Sequence, residues 1–273
     1  MFINIFSLIY LCLTMIEQEM MIPSKIPKLE KKERKKKEPF VPLQKYFNSD
    51  KYNYEIGIDE AGRGPLFGRL YVAGVVLPKD NSMDTSEIRD SKKISKRKLP
   101  ILYDNIIKNA LAYHICFIES VEIDRINIRQ AVIKAMHTCA REIINKLSQK
   151  HCETSSTGKK EEEEKEEFFL MVDGNDFPCY YHTNNAKVAH ETFLEGDNRF
   201  ANIAAASILA KVSRDNYVKN LCEKFPKLTE RYKIDKNMGY GTKDHLEGIY
   251  KYGITQYHRR TYGICKKSEL SVI

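Results

Sequence analysis

The segment Gly57-Ile58-Asp59-Glu60-Ala61-Gly62-Arg63-Gly64-Pro65 limits this chain more than any other stretch of it. Tyr54, Ile56 and Ile58 alternate as a half-buried strand requires, and two adjacent carboxylates then run into a glycine-rich turn. Neighbouring side chains of a regular strand point to opposite faces, so Asp59 and Glu60 can serve one site only where the chain is turning. Glycine lets backbone N–H groups come close to a ligand, and Arg63 adds a planar cationic donor suited to phosphate. At a solvated strand end the same pair would carry no chemistry, so a site here needs partners from elsewhere in the chain.

Two candidate partners stand further along. Phe168 to Val172 is a short buried strand that ends in Asp173-Gly174-Asn175, which places a third carboxylate at a strand end. Glu195-Gly196-Asp197 lies just before a long helix expected from Ile203 to Leu221, whose Ala204-Ala205-Ala206-Ser207 start implies close backbone packing. Hard divalent cations take several oxygen ligands, and Mg²⁺ is commonly held by one or two carboxylates with waters and substrate phosphate. Four carboxylates gathered from distant strand ends could hold two such ions; ordinary surface acidity is the alternative that spacing leaves open.

The remaining pattern is that of an α/β domain over residues 51–265, preceded by an extension over 1–50 and followed by a tail over 266–273. Leu70 to Leu77 and Leu111 to Ile118 read as further strands. Ile128 to Leu147 reads as a helix, because Ile128, Ala131, Val132, Ala135, Met136, Cys139, Ile143 and Leu147 fall on one stripe, with Asn127 as N-cap. In the extension, the apolar stretch Phe2 to Ile16 is shorter than the roughly 20 residues of a membrane span and lacks the basic n-region of a secretory signal. The basic run from Lys25 to Lys37 reads as a solvated linker, a nuclear address or a nucleic-acid arm. Thr154 to Glu167, with Glu161-Glu162-Glu163-Glu164 inside it, has no apolar face and reads as a surface insertion without fixed structure. A net charge of +8 suits a polyanionic partner, since Lys and Arg displace counterions from phosphates. The seven cysteines are scattered without a CxxC pair, which argues against a disulfide framework or structural zinc and for a reducing, intracellular setting rather than secretion.

Further blocks complete the pattern. Asp90-Ser91-Lys92-Lys93 follows the opening motif, and after Asp173-Gly174-Asn175 come Gly196-Asp197, Ile203 to Val212 and Arg214-Asp215. Gly239-Tyr240 with Thr242 and His245-Leu246, then His258-Arg259-Arg260, close the series. In these blocks and their order the chain from about Tyr54 to Cys265 resembles the ribonuclease HII family. The resemblance implies an RNase H-like α/β fold, a mixed central sheet flanked by helices with a smaller helical C-terminal part. It implies that Asp59, Glu60, Asp173 and Asp197 are catalytic and ligate two Mg²⁺ or Mn²⁺ ions, with Asp59 as the bridging ligand. It implies a monomeric endonuclease acting on RNA–DNA hybrids and ribonucleotide-containing duplex DNA, leaving 3′-hydroxyl and 5′-phosphate ends.

The same resemblance assigns substrate contacts. Only RNA offers a 2′-hydroxyl, and the family's Gly-Arg-Gly sensor falls here on Gly62, Arg63 and Gly64, while Tyr240 matches a tyrosine that packs on the adjoining deoxyribose. Ser91, Lys92, Lys211 and Arg259 with Arg260 stand as phosphate neighbours, each against the plain alternative of a solvated side chain. Asp215 reads as a support for the site or as half of a helix-surface salt bridge. Gly241 replaces the proline usual after Gly-Tyr, which predicts a looser loop around Tyr240. Pro100 interrupts the helix expected after the Asp-Ser-Lys-Lys block, predicting a kink or a late start, and Tyr217 replaces a methionine.

Two rivals keep the fold: a nucleic-acid-binding protein with catalysis lost or redirected, and a related nuclease that cuts DNA without needing RNA. The four carboxylates count against the first, and the Gly-Arg-Gly turn with Tyr240 against the second. Leu43, Tyr46 and Phe47 match the spacing of a sliding-clamp-binding peptide, although Phe40 stands where its leading glutamine belongs; packing on the first strand is the other reading. Loop length changes stability only slowly, so deleting Thr154 to Glu166 is expected to move the melting temperature by less than about 3 °C. Scanning calorimetry checks this, and a large fall would mean that the segment is ordered.

Overall fold

The computed structural model describes residues 42–80, 82–154, 167–183 and 185–272, and these belong to one compact unit beginning at Pro42. The apolar stretch, the basic run and the Glu161-Glu162-Glu163-Glu164 segment lie outside the described residues. Six strands form one sheet: β1 (Tyr54–Ala61), β2 (Leu70–Val76), β3 (Ala112–Ile118), β4 (Phe168–Asp173), β5 (Tyr180–Tyr181) and β6 (Lys187–Phe193), in the order β3-β2-β1-β4-β6-β5. β1 pairs antiparallel with β2 and parallel with β4, β2 pairs antiparallel with β3, β4 pairs parallel with β6, and β5 closes the far edge antiparallel to β6. The sheet is therefore mixed, with β1 and β4 side by side at its centre.

The strands' period of two sorts their side chains between two layers. Leu70, Val72 and Val76 of β2, with Ile56 and Ile58 of β1, meet Ala131, Ala135, Met136, Ile143 and Leu147 of helix α3 (Ile128–Thr154). Tyr71, Ala73 and Val75 of β2 face the other way, toward Leu102 and Ile106 of α1 (Lys98–Asn109) and Ala204 to Leu209 of α4 (Ala201–Lys224). The short α2 (Ser120–Ile126) leads into α3, where Asn127 accepts the Gln130 N–H at 3.1 Å as expected of an N-cap. α3 continues past Leu147 to Thr154, so the first residue of the acidic insertion ends this helix. Pro100 lies in the first turn of α1 and does not interrupt it, directly after Leu99, whose N–H donates to the Ser95 carbonyl at 3.2 Å.

The second half of α4 carries the smaller helical part: α5 (Lys227–Tyr232), α6 (Ile234–Asn237) and α7 (Lys243–Tyr252). Its own core gathers Val218, Leu228, Tyr232, Ile234, Ile249 and Ile254 around Phe67, which enters from the loop between β1 and β2. At the other end of the chain, Leu43, Tyr46 and Phe47 pack on the body. Leu43 joins the α1 and α4 layer, the Tyr46 hydroxyl donates to the Pro78 carbonyl, and the Phe47 ring stacks on Phe169 with centroids 5.2 Å apart. The buried Glu55 carboxylate accepts the N–H groups of Phe47 and Asn48, both at 2.6 Å.

α4 crosses β1 where Gly57 removes the side chain. A Cβ there would sit 2.2 Å from the Asn202 carbonyl carbon, and Asn202 itself accepts the Leu77 N–H at 2.9 Å. The clash is with helix backbone, which cannot rotate away. Gly57→Ala should lower unfolding free energy by about 3 kcal/mol or more, measured by urea titration; a loss under about 1 kcal/mol would show that the helix can lift off the sheet.

Candidate active site

The β1–β4 register sets the first two carboxylates. Ile58 pairs with Val172, so Asp59 and Asp173 come next on neighbouring strands. β4 ends there, but β1 keeps pairing with β2 through Glu60 and Ala61, and the turn begins only at Gly62 with φ +96°. Asp59 and Glu60 thus share the site from an overhanging strand end and not from the turn itself, the Glu60 N–H donating to Asp59 Oδ1 at 2.6 Å. Asp173 draws in the third segment: its Oδ1 accepts the Gly196 N–H at 2.8 Å and so anchors the 3₁₀ turn Gly196–Asn198 that carries Asp197.

These groups repel one another in a poorly hydrated place. Burial, then Glu60 and Asp173, push the Asp59 carboxyl well above the usual range, while hydrogen bonds from Ser207 and the Glu60 N–H oppose the shift. Burial also raises Glu60, against Arg63, whose guanidinium lies 3.6 Å from its carboxylate, and burial raises Asp173. Asp197 is pushed to about 6 by burial first and then by Asp90 and Asp173, with Lys92 acting the other way. Asp90 is a fifth acid that the sequence reading passed over as a site residue. It is buried, accepts the Lys92 N–H at 2.9 Å, and is hydrogen-bonded to Asp197. Burial disfavours the Lys92 ammonium, yet Asp90, Asp197, Asp59 and Asp173 together hold its pKa above the ordinary value.

The turn beside this cluster is gripped from behind. Arg259, expected to face phosphate, is 0% exposed, and its guanidinium donates to the carbonyls of Gly62 at 2.6 Å, Arg63 at 3.0 Å and Gly68 at 3.1 Å. Arg214, also buried, donates to the carbonyls of Phe67 at 3.2 Å, Arg69 at 3.3 Å and Met238 at 2.9 Å. Tyr240 is 51% exposed and faces the turn, since a Cβ on Gly64 would meet its ring at 3.8 Å. Its loop is not loose despite Gly241: the Met238 carbonyl is held by Arg214, that of Gly239 by the Leu66 N–H at 2.9 Å, and that of Tyr240 by the Thr242 N–H at 2.8 Å and by His245. Tyr217, where methionine was expected, lies under Arg69, whose guanidinium stands 4.5 Å from the ring centroid.

Other expected phosphate contacts divide. Lys92 is at the site and Arg260 is exposed, whereas Ser91 is buried with its hydroxyl 3.2 Å from that of Ser207, behind Asp59. Lys211 pairs with Asp215 one turn along α4, so Asp215 acts as a salt-bridge partner.

The donor set suits a hard divalent cation, because several buried oxygens carry negative charge that Lys92 offsets only in part. As the side chains stand, no three His, Cys, Asp or Glu among the described residues form a closed ligand set.

The description "Ribonuclease HII" belongs to the family model that matches residues 56–265. Ribonuclease HII of Francisella tularensis subsp. novicida (strain U112) is 39% identical over 207 residues, which span 76% of this chain and 95% of that protein. Its counterpart in Francisella tularensis subsp. tularensis (strain WY96-3418) is also 39% identical over 76% of this chain and 94% of its own length. Among solved structures, ribonuclease H2 from Pyrococcus horikoshii OT3 superposes with a TM-score of 0.58 at 20% identity, covering 78% of this chain and 96% of that one. The RNase HII in the PCNA:RNase HII complex from Archaeoglobus fulgidus gives 0.55 at 23% identity, covering 77% and 95%. At these identities the structural likeness concerns the fold.

The raised Asp197 pKa has a thermodynamic signature. A folded-state value near 6, above the ordinary 3.8 of an aspartate, adds stability below about pH 4 that is lost as pH rises through 6. In chelator, Asp197→Asn should therefore be more stable than the unmodified chain at pH 8, by on the order of 2 kcal/mol, with little difference at pH 4. Denaturant titrations at the two pH values check this; a variant less stable at pH 8 would contradict it.

Proposed function

This chain belongs to the ribonuclease HII family, and from that membership and its carboxylate cluster we propose that it hydrolyses RNA within RNA–DNA duplexes, cutting on the 5′ side of a ribonucleotide, even a single one embedded in DNA. The observation that carries the reading is the convergence of Asp59, Glu60, Asp173 and Asp197, each with its carboxyl pKa raised, at the ends of β1 and β4 and the turn after β6. These four would hold Mg²⁺ or Mn²⁺, two ions when substrate is present, supplying charge stabilisation to the attacking and leaving oxygens of an in-line displacement. Lys92 neutralises part of the cluster and stands ready for the adjacent phosphate. The reaction leaves 3′-hydroxyl and 5′-phosphate ends.

Substrate selection falls to the turn and the tyrosine. Gly62, Arg63 and Gly64 recognise one 2′-hydroxyl, and the exposed Tyr240 ring packs on the next sugar, where an added hydroxyl would crowd it. Together they favour an RNA-to-DNA junction over uniform RNA. The catalytically redirected binding protein is the less supported reading, because all four carboxylates are retained. Clamp binding through Leu43, Tyr46 and Phe47 would require releasing the Phe47 ring and the Glu55 bonds that tie this segment down, so binding of the intact chain to a cognate sliding clamp is expected to be weak in equilibrium titration.

Digestion of three labelled duplexes tests the proposal: all-DNA, RNA–DNA hybrid, and DNA with one embedded ribonucleotide. The second and third should be cut in the presence of Mg²⁺ or Mn²⁺ and the first left intact. Carboxylate-to-amide changes keep shape and remove the charge a hard cation needs, so Asp59→Asn and Asp173→Asn should each lower cleavage by at least about 100-fold. Near-normal activity of either variant would remove that residue from the ligand set. Cutting of long hybrids with none at a single ribonucleotide would refute the junction reading.

A further inference from the structure

Two buried histidines connect the Tyr240 loop to the segment that grips the turn. His258 Nδ1 lies 2.9 Å from the Thr255 N–H, which can only donate, with the hydroxyl of the same residue also at 2.9 Å. Nδ1 of His258 must therefore be bare, and its proton sits on Nε2. That nitrogen is 3.0 Å from His245 Nε2, which has to accept, leaving the proton of His245 on Nδ1. His245 Nδ1 is in turn 2.9 Å from the Tyr240 carbonyl, which can only accept. Every donor finds an acceptor in one proton order, Thr255 to His258 to His245 to Tyr240, with both rings neutral.

The surroundings hold this order. Both histidines are at most 1% exposed, and Phe67 and Tyr232 stand edge-on to His258 with centroids 5.1 and 5.2 Å away. Burial, and then His245, drives the His258 pKa down to about 3, and burial lowers that of His245. The residue after His258 is Arg259, whose guanidinium fixes the Gly62 and Arg63 carbonyls.

We propose that His258 and His245 form a hydrogen-bonded relay that sets Tyr240 against the Gly62–Gly64 turn, making both histidines positioning residues for selection of the sugars on either side of the cut. The proposal rests on the sugar-reading role given above to Tyr240 and the turn. Adjacent residues, His258 and Arg259, then anchor the two reading elements, so that the spacing between them is set within the protein interior.

Two measurements on the full-length chain test this. Long-range ¹H–¹⁵N spectra of the imidazoles at pH 6 should show His258 as the neutral Nε2–H tautomer and His245 as the neutral Nδ1–H tautomer. A cationic ring, or the opposite tautomer at His258, would overturn the relay. The second readout is the ratio of kcat/KM on a single-ribonucleotide duplex to kcat/KM on an all-RNA hybrid. His245→Leu removes the donor to Tyr240 and should lower this ratio about fivefold, the order expected from one lost hydrogen bond. In His245→Asn the side-chain amide can donate in place of Nδ1, and the ratio should return to within about twofold of the unmodified value. A merely structural role would depress both substrates alike, and an unchanged ratio in His245→Leu would overturn the positioning role. Failure of the unmodified chain to cut at a single ribonucleotide would overturn the proposed function, and with it the role in selection; it is distinguishable because it appears before any substitution is made.

Discussion

Two buried guanidiniums hold the loop between β1 and β2, and the placement of the site depends on them. Arg259 and Arg214 donate hydrogen bonds to the carbonyls of Gly62, Arg63, Phe67, Gly68 and Arg69, and Arg214 reaches across to that of Met238. A charge out of water is tolerated only when its donors are satisfied, and the planar fork of arginine can satisfy several carbonyls at once. Desolvation is visible in the lowered pKa of both, that of Arg259 falling to about 10. Truncating either would leave inward-facing carbonyls without donors, so the damage would spread along the loop and into the Phe67 anchor of the helical C-terminal part.

The carboxylate cluster strains the fold in the opposite sense. β1, β4 and the turn after β6 bring like charges together where burial already disfavours ionisation, and Lys92, Arg63 and hydrogen bonds such as those from Ser207 and the Gly196 N–H counter it. The sheet and α4 supply the rigidity that keeps these groups from moving apart, with close backbone contact at Gly57 fixing how far α4 lies from β1. Stability of the central layers thus sustains a locally unfavourable charge arrangement, an arrangement suited to cations.

Much of the architecture was legible in the sequence because it rests on periodicity. β1, β2, the Ile128 stripe and the Asn127 cap are local patterns whose physical cause lies within a few residues. What escaped depends on partners distant in sequence. β1 persists through Ala61 because β2 continues to pair with it, which no local pattern reveals. The strand Lys187–Phe193 alternates incompletely, lying near the sheet edge with only two-residue β5 beyond it. Arg259 looked like a phosphate contact because an arginine beside a basic neighbour has the same signature whether it faces solvent or carbonyls. Gly241 suggested a loose loop, but hydrogen bonds to the Met238, Gly239 and Tyr240 carbonyls restrain it. Asp90 was in plain view at the head of its block; the signal was its burial beside Asp197, which belongs to the fold.

A peptide unit is planar and trans, so its carbonyl and the N–H of the following residue point in opposite directions. The Gly62 and Arg63 carbonyls are both drawn inward onto one guanidinium. The Arg63 and Gly64 N–H groups are thereby turned outward as a pair of parallel dipoles. The interior of the protein, through a side chain that never meets solvent, decides the polarity of the outer face of the turn: donors out, acceptors in.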